Sequence, residues 1–145
     1  MRLILQRVKS ASVCVDREII SAIGKGYLIY LAIEVGDSQK DRDYLIQKIL
    51  GLRIYPNAEG KLDQTIQQIG GSILVVSQFT LYGDCRKGRR PSFTQSAPID
   101  EAEKEIHAFC EALALQYPHV KRGRFQASMG VRSVNDGPFT LILDS

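Results

Sequence analysis

Gly70-Gly71-Ser72-Ile73-Leu74-Val75-Val76-Ser77-Gln78-Phe79-Thr80-Leu81-Tyr82-Gly83-Asp84 passes from a turn signal through four consecutive apolar residues into polar ones without a break. Three of the four, Ile73, Val75 and Val76, are β-branched. With the Gly-Gly pair in front of them they predict a central strand covered on both faces. Such a strand holds its C-terminal end rigidly. Ser77, Gln78 and Thr80 arrive where apolar burial ends, and a rigid strand end can fix backbone N–H groups and hydroxyls against a ligand. The same residues also read as a strand leaving the core through an ordinary polar turn. Local chemistry leaves both readings open.

The rest of the chain supplies the surroundings. At 145 residues and 44% hydrophobic, it is long enough for one well-packed domain, 1–145, and too short for two ordinary ones. A net charge of +3 permits a phosphate-rich partner without demanding one. Cys14, Cys85 and Cys110 are odd in number and lack metal-ligand spacing, which points to reduced thiols rather than a disulfide framework or a zinc site. Charge at Arg2 and Arg7 interrupts the N-terminus too early for a secretion signal, and no apolar run approaches membrane-spanning length. The expectation is a soluble cytoplasmic protein.

Upstream of the central stretch, Met1 to Val8 and Ser10 to Asp16 predict two strands joined to a third, Glu18 to Ile23, through Asp16-Arg17. Gly24-Lys25-Gly26 predicts a turn and Tyr27 to Val35 a buried strand, so four strands in succession imply an antiparallel meander. Ser38 with Asp41 three residues on is a helix start, and Leu45, Ile49 and Leu52 repeat at helical spacing up to a short strand at Arg53-Ile54-Tyr55.

Downstream, Arg86-Lys87-Gly88-Arg89-Arg90 puts four cations in five positions. Cations around Gly and Pro cannot pack inside, and they suit nucleic-acid phosphates as well as they suit a solvated loop. A second basic cluster, Lys121-Arg122-Gly123-Arg124, favours the phosphate reading. Asp100-Glu101-Ala102-Glu103 resembles a capping box before a helix whose stripe is Ala102, Ile106, Phe109, Cys110, Leu113 and Tyr117, ending at Pro118. Phe125, Ala127, Met129 and Val131 alternate with polar or small residues and predict a half-buried strand. Asn135-Asp136-Gly137-Pro138 is a turn signal before a last strand, Phe139 to Leu143. X-Pro bonds in folded proteins are mostly trans, and sequence alone predicts the same for Pro138. His107 and His119 are both expected at the surface, so a Ser-His or Cys-His pair has no base near the central strand. Cys85, exposed among cations, is the one thiol with any claim as a nucleophile.

Ser77-Gln78-Phe79-Thr80-Leu81 together with Asn135-Asp136-Gly137-Pro138-Phe139-Thr140 resembles the motif pair of the D-aminoacyl-tRNA deacylases. The resemblance extends through Gln6-Arg7-Val8, Ala11-Ser12-Val13, Gly24-Lys25-Gly26, Arg86 to Phe93 and Gly123-Arg124-Phe125, in order along the chain. It implies a homodimeric α/β (α+β) domain with a mainly antiparallel, barrel-like sheet and two main helices packed on it. It also implies catalysis at Ser77, Gln78, Phe79 and Thr80. Substrate contacts would come from Phe125, Met129, Ala102, Arg7, Gly137 and Pro138, and tRNA contacts from Arg86, Lys87, Arg89 and Arg90. No cofactor or metal is implied. In that family the Gly-Pro pair is cis and enters the partner's active site, held by a residue like Arg7, so that L substrates are excluded while glycine passes. The family's common pattern reads Phe-Gly-Ala-Asp-Met-Gln-Val where this chain has Phe125-Gln126-Ala127-Ser128-Met129-Gly130-Val131.

An aminoacyl ester is already activated, so its hydrolysis requires an oriented water and donors for the oxyanion rather than an acid–base pair. With no adjacent base, Thr80 Oγ is a poor nucleophile, which favours assistance by the ribose 2′-OH of the substrate. Two rivals come from other classes. A non-catalytic RNA-binding module explains the cations, yet the aromatic residues that would stack bases mostly fall in core patterns. A conventional small-ester hydrolase lacks its base.

Overall fold

In the computed structural model, which describes residues 1–145, the first strand is longer than the sequence predicts. β1 (Arg2–Val15) continues through Lys9-Ser10, where only its pairing with the last strand slips register. Asp16 and Arg17 both take positive φ, 51° and 70°, the geometry of a two-residue hairpin turn whose twist matches the flanking strands. β2 (Glu18–Ile23) and β3 (Gly26–Ala32) then run back along one edge of β1, pairing with Ala11–Val15 and Arg2–Val8 in turn. The predicted meander is therefore a single long hairpin with a bend at Gly24-Lys25.

A helix α1 (Gln39–Gly51) follows, and the sequence places its start correctly: the Ser38 N–H and hydroxyl both donate to the Asp41 carboxylate, at 2.9 and 2.6 Å. A small ribbon of β4 (Tyr55–Pro56) and β5 (Leu62–Gln64) leads to β6 (Ser72–Ser77), the strand predicted from Ile73 to Val76. β6 pairs parallel with β3, and β7 (Val120–Arg122) pairs parallel with β6, so the middle of the sheet is parallel where an antiparallel one was expected. Between β6 and β7 the chain crosses over through α2 (Ile99–Gln116), as a parallel connection requires. The first turn of α2 differs from expectation. Pro98 occupies the cap with no side-chain bond, and its carbonyl accepts from the Ala102 N–H at 2.9 Å, which places Asp100 and Glu101 inside the helix. There they complement the helix dipole instead of capping it.

β8 (Gly130–Asp144) pairs antiparallel with β1 over nearly its full length. Residues 2–6 of β1 pair with β3 as well as β8, and a strand has two hydrogen-bonding edges, so β8 is the outer strand. Asn135 to Pro138, predicted as a turn between strands, is a bulge inside it. Gln6 opposes Thr140 and Val8 opposes Asn135, which leaves Arg7 facing Asp136 to Phe139. The Gly137–Pro138 peptide is cis, as the family resemblance implies and the general preference for trans does not.

The β6 side chains divide between two cores. Ile73 and Val75 join the cluster under the helices, with Leu3, Leu5, Ile49, Phe109 and Leu113. Leu74 and Val76 face a second cluster with Val8, Val13, Ile23 and Leu28. All four are buried, and burying such side chains stabilises by about 1.5–3 kcal/mol each. The free edges of β2 and β7 approach one another, Ser21 Oγ donating to the Arg122 carbonyl at 2.6 Å, so the sheet is nearly closed into a barrel. No helix is long and apolar enough to cross a membrane.

Candidate active site

Burial on both faces fixes Ser77, the last residue of β6, opposite Leu31 of β3. The chain holds its line one residue further, because the Gln78 N–H donates to the Leu31 carbonyl at 2.8 Å. It then tightens into a 3-10 turn, Phe79–Tyr82, closed by bonds from Leu81 N–H to the Gln78 carbonyl and from Gly83 N–H to the Thr80 carbonyl. The first N–H groups of such a turn, those of Phe79 and Thr80, have no acceptor within it. Gln78 Nε2 donates to the exposed Thr80 Oγ1, and Ser96 Oγ donates to the Phe79 carbonyl at 3.1 Å. The Phe79 ring, 56% exposed, packs edge-on to Phe93 with centroids 5.1 Å apart.

Ser77, Gln78 and Phe79 form one side of a cleft of about 550 Å³. Ala102 from α2, with Phe125 and Met129 from the segment before β8, forms the other, so six of the predicted site residues meet here. The other walls include Ile33, Ala97, Ile99 and Ile106, none of which the sequence marked as a site residue. Ala97 N–H donates to the Ile33 carbonyl at 3.0 Å, a contact between distant segments that no local pattern announces. None of the cleft residues is ionisable.

Residues 125–129 are not a strand. The chain turns there, with Gln126 at φ 58°, although Phe125, Ala127 and Met129 remain half-buried while Gln126 and Ser128 are exposed. A turn reproduces the alternation of exposure that the sequence shows, so the pocket-side residues were legible and the backbone was not.

Other predicted residues lie outside the cleft. Arg7 pairs with Tyr27 and Ser77 with Leu31, four residues further along β3, a separation of roughly 13 Å at strand rise. Gly137 and Pro138 oppose Arg7 and are exposed, so one chain does not bring them to the cleft. Arg7, with only 11% of its side chain exposed, donates through Nε to the Asp136 carbonyl at 3.0 Å and through Nη1 to the Ile54 carbonyl at 2.6 Å. Its guanidinium also lies over the Phe139 ring, 4.9 Å from the centroid, and thereby ties the bulge to the body of the protein. Inside the bulge, the Phe139 N–H donates to Asn135 Oδ1 at 2.8 Å.

Residues 85–91 form an exposed loop closed at its base by paired backbone bonds between Asp84 and Ser92, at 2.8 and 2.9 Å. Arg86 donates to both Asp84 carboxylate oxygens, and this hydrogen bonding holds the Asp84 pKa down at about 2. Lys87, Arg89 and Arg90 have no carboxylate partner in the loop. Cys85 is exposed beside them, whereas burial pushes the Cys110 thiol up to about 11 and removes it as a nucleophile. His107 and His119 are both exposed, as expected. No group of three or more His, Cys, Asp or Glu side chains could hold a metal ion.

The geometry can be set beside known proteins. The sequence pattern of the D-Tyr-tRNA(Tyr) deacylase family matches residues 4–144. A D-aminoacyl-tRNA deacylase of Desulfitobacterium hafniense is 46% identical over all of this chain and 97% of its own length. One of Syntrophotalea carbinolica is 49% identical, with the same coverage. Among solved structures, c-Myc DNA Unwinding Element Binding Protein superposes with a TM-score of 0.95 at 40% identity, over 100% of this chain and 99% of that one. A probable eukaryotic D-amino acid tRNA deacylase, at 19% identity and a TM-score of 0.83 over 99% and 98% of the two chains, shares the fold. With its residues matched from one end to the other, the chain belongs to the D-Tyr-tRNA(Tyr) deacylase family and is a hydrolase acting on the ester bond of aminoacyl-tRNA.

Proposed function

We propose that this protein hydrolyses D-aminoacyl-tRNA in the cleft beside Ser77–Thr80, works as a homodimer, and rejects L-aminoacyl-tRNA by means of Gly137 and Pro138 from the second subunit. The observation that carries this reading is a cleft lined without an ionisable side chain, beside which the 3-10 turn leaves unpaired the N–H groups of Phe79, a lining residue, and of Thr80, which follows it outside the lining. Preorganised main-chain donors in a water-poor site stabilise a developing oxyanion and require no proton shuttle. An activated ester supplies the rest. Phe125, Met129 and Ala102 offer apolar surface to the terminal adenosine and the aminoacyl group, and the ribose 2′-OH of the substrate assists the attack while Thr80 supports it. Arg86, Lys87, Arg89 and Arg90 contact the phosphates of the tRNA body.

Gly137 and Pro138 lie far from their own cleft, are exposed, and are braced by Arg7 on the outermost strand. A twofold partner can offer such a segment to the cleft as a rigid main-chain wall. A wall on the side where an L residue carries its side chain excludes L substrates and leaves D side chains pointing outward. Glycyl-tRNA then passes as a by-product of rejection. The cellular role that follows is chiral proofreading in translation.

The solved relative named for binding a DNA unwinding element raises a second reading, a nucleic-acid-binding module, which the exposed cations also favour. Release of tyrosine from matched D-tyrosyl-tRNA, L-tyrosyl-tRNA and D-tyrosyl-tRNA ending in 2′-deoxyadenosine decides between them. The expected outcome is rapid release from the first and none above background from the other two. Release from none leaves the binding module standing, equal release of D- and L-tyrosine removes the stereochemical wall, and turnover of the deoxy substrate removes the role of the 2′-OH.

A further inference from the structure

A second groove, of about 370 Å³, opens off the cleft and shares three residues with it, Ser77, Ile106 and Phe125. It adds His107, Arg122 and Arg124, with Glu103 at its wall. We propose that this groove binds the phosphate on the 5′ side of the terminal nucleoside of the substrate, an inference that rests on the deacylase reading of the cleft. The acylated hydroxyl and the 5′-phosphate of a terminal nucleotide lie on opposite sides of one ribose. A substrate with its ester at Ser77–Phe79 and its nucleoside against Phe125 therefore passes its 5′ side over the rim common to both cavities.

The groove is built for an anion. Arg122 Nη1 lies 3.0 and 3.2 Å from the two ring nitrogens of His107, so a guanidinium and an imidazole stand side by side. Neither Arg122 nor Arg124 takes part in any of the ion pairs of the chain, and Glu103 pairs with neither. Glu111 approaches His107 Nδ1 at 3.8 Å from outside the groove, while the groove's own lining sets two guanidiniums against one carboxylate, and guanidinium matches phosphate with directed donors. The main chain beneath them is fixed. Arg122 pairs with Val75 of β6, its carbonyl accepts from Ser21, and the Gly123 N–H donates to the Val75 carbonyl at 2.8 Å. A Cβ at Gly123 would stand 2.7 Å from the Met129 sulfur, so the Met129 side chain that lines the cleft would have to shift. The basic loop offers no substitute. None of its residues lines either cavity.

The test uses two small esters, 2′(3′)-O-D-tyrosyl-adenosine and the same compound carrying a 5′-phosphate. In the unaltered protein the phosphate should raise kcat/KM by about tenfold, the worth of one charge-assisted contact. In Arg122→Gln and in Arg124→Gln the ratio of the two kcat/KM values should fall toward one, and Arg122→Lys should keep part of it. A ratio near one in the unaltered protein, or an undiminished ratio in both glutamine variants, overturns the inference. Hydrolysis of D-tyrosyl-tRNA with no hydrolysis of either small ester overturns it too and leaves the deacylase reading in place, while inactivity on all three overturns both.

Discussion

Among single residues, Gln126 carries the plainest conflict between chemistry and backbone. It takes φ 58° in the turn that aims Phe125 at the cleft, at the position where the related pattern has glycine. An L side chain in the left-handed region costs about 1–2 kcal/mol, and glycine offsets part of that gain through its greater unfolded-state entropy. Gln126→Gly should therefore stabilise the fold by about 0.5–1 kcal/mol, read as a higher midpoint in urea at unchanged slope. A lower midpoint would mean that the Gln126 side chain holds the turn. Gly26 is the opposite case, with sequence and backbone in agreement. A Cβ there would stand 1.8 Å from the Ser72 carbonyl oxygen, so β6 can lie beside β3 only where the side chain is missing. The sequence marks that glycine as a turn residue. Its true use, close approach between strands distant in sequence, leaves no local trace.

At the scale of elements, legibility followed locality. The start of α1 could be read because Ser38 and Asp41 satisfy each other within one turn, and the stripe on α2 because Phe109 and Leu113 are wholly buried. The parallel pairing of β3, β6 and β7 could not, since both faces of β6 are apolar whichever way its neighbours run. The walls of the cleft from Ile33 and Ala97 were hidden for a related reason, being assembled by contacts between segments far apart in the chain. The basic loop was legible in composition and position alike. Its cations stand in water, with Arg86 alone paired, to Asp84, so reversal of the others should leave the fold intact. Arg89→Glu with Arg90→Glu should weaken tRNA affinity and flatten its dependence on salt, by about two phosphate contacts in a plot of log affinity against log salt. An unaltered slope would place the RNA elsewhere.

For the whole molecule, the outer strand β8 governs what the fold can do. It spans fifteen residues, none of them fully buried, and its far edge is unpaired. On the sheet face turned away from Leu3 and Leu5, Ile142 is 67% exposed and stands directly across from Ile4. Long outer strands with exposed apolar residues are normally blunted or covered, and in the proposed dimer a second copy of the chain would cover this one while presenting Gly137 and Pro138 outward. Ile142→Lys should yield a folded monomer with little deacylation, since an exposed substitution alters the stability of one subunit by only about 0.5 kcal/mol. Light scattering with circular dichroism measures both halves of that outcome, and an active monomer would dismiss the shared site.

The cleft that these scales build has neutral walls throughout. Under the proposed deacylation, acidity would therefore reach the ester through the ammonium group of its own aminoacyl moiety and through the supply of hydroxide, with no titrating group in the cleft walls. Such a catalyst owes its timing to its cargo, and mutation can reshape its walls without retuning any proton.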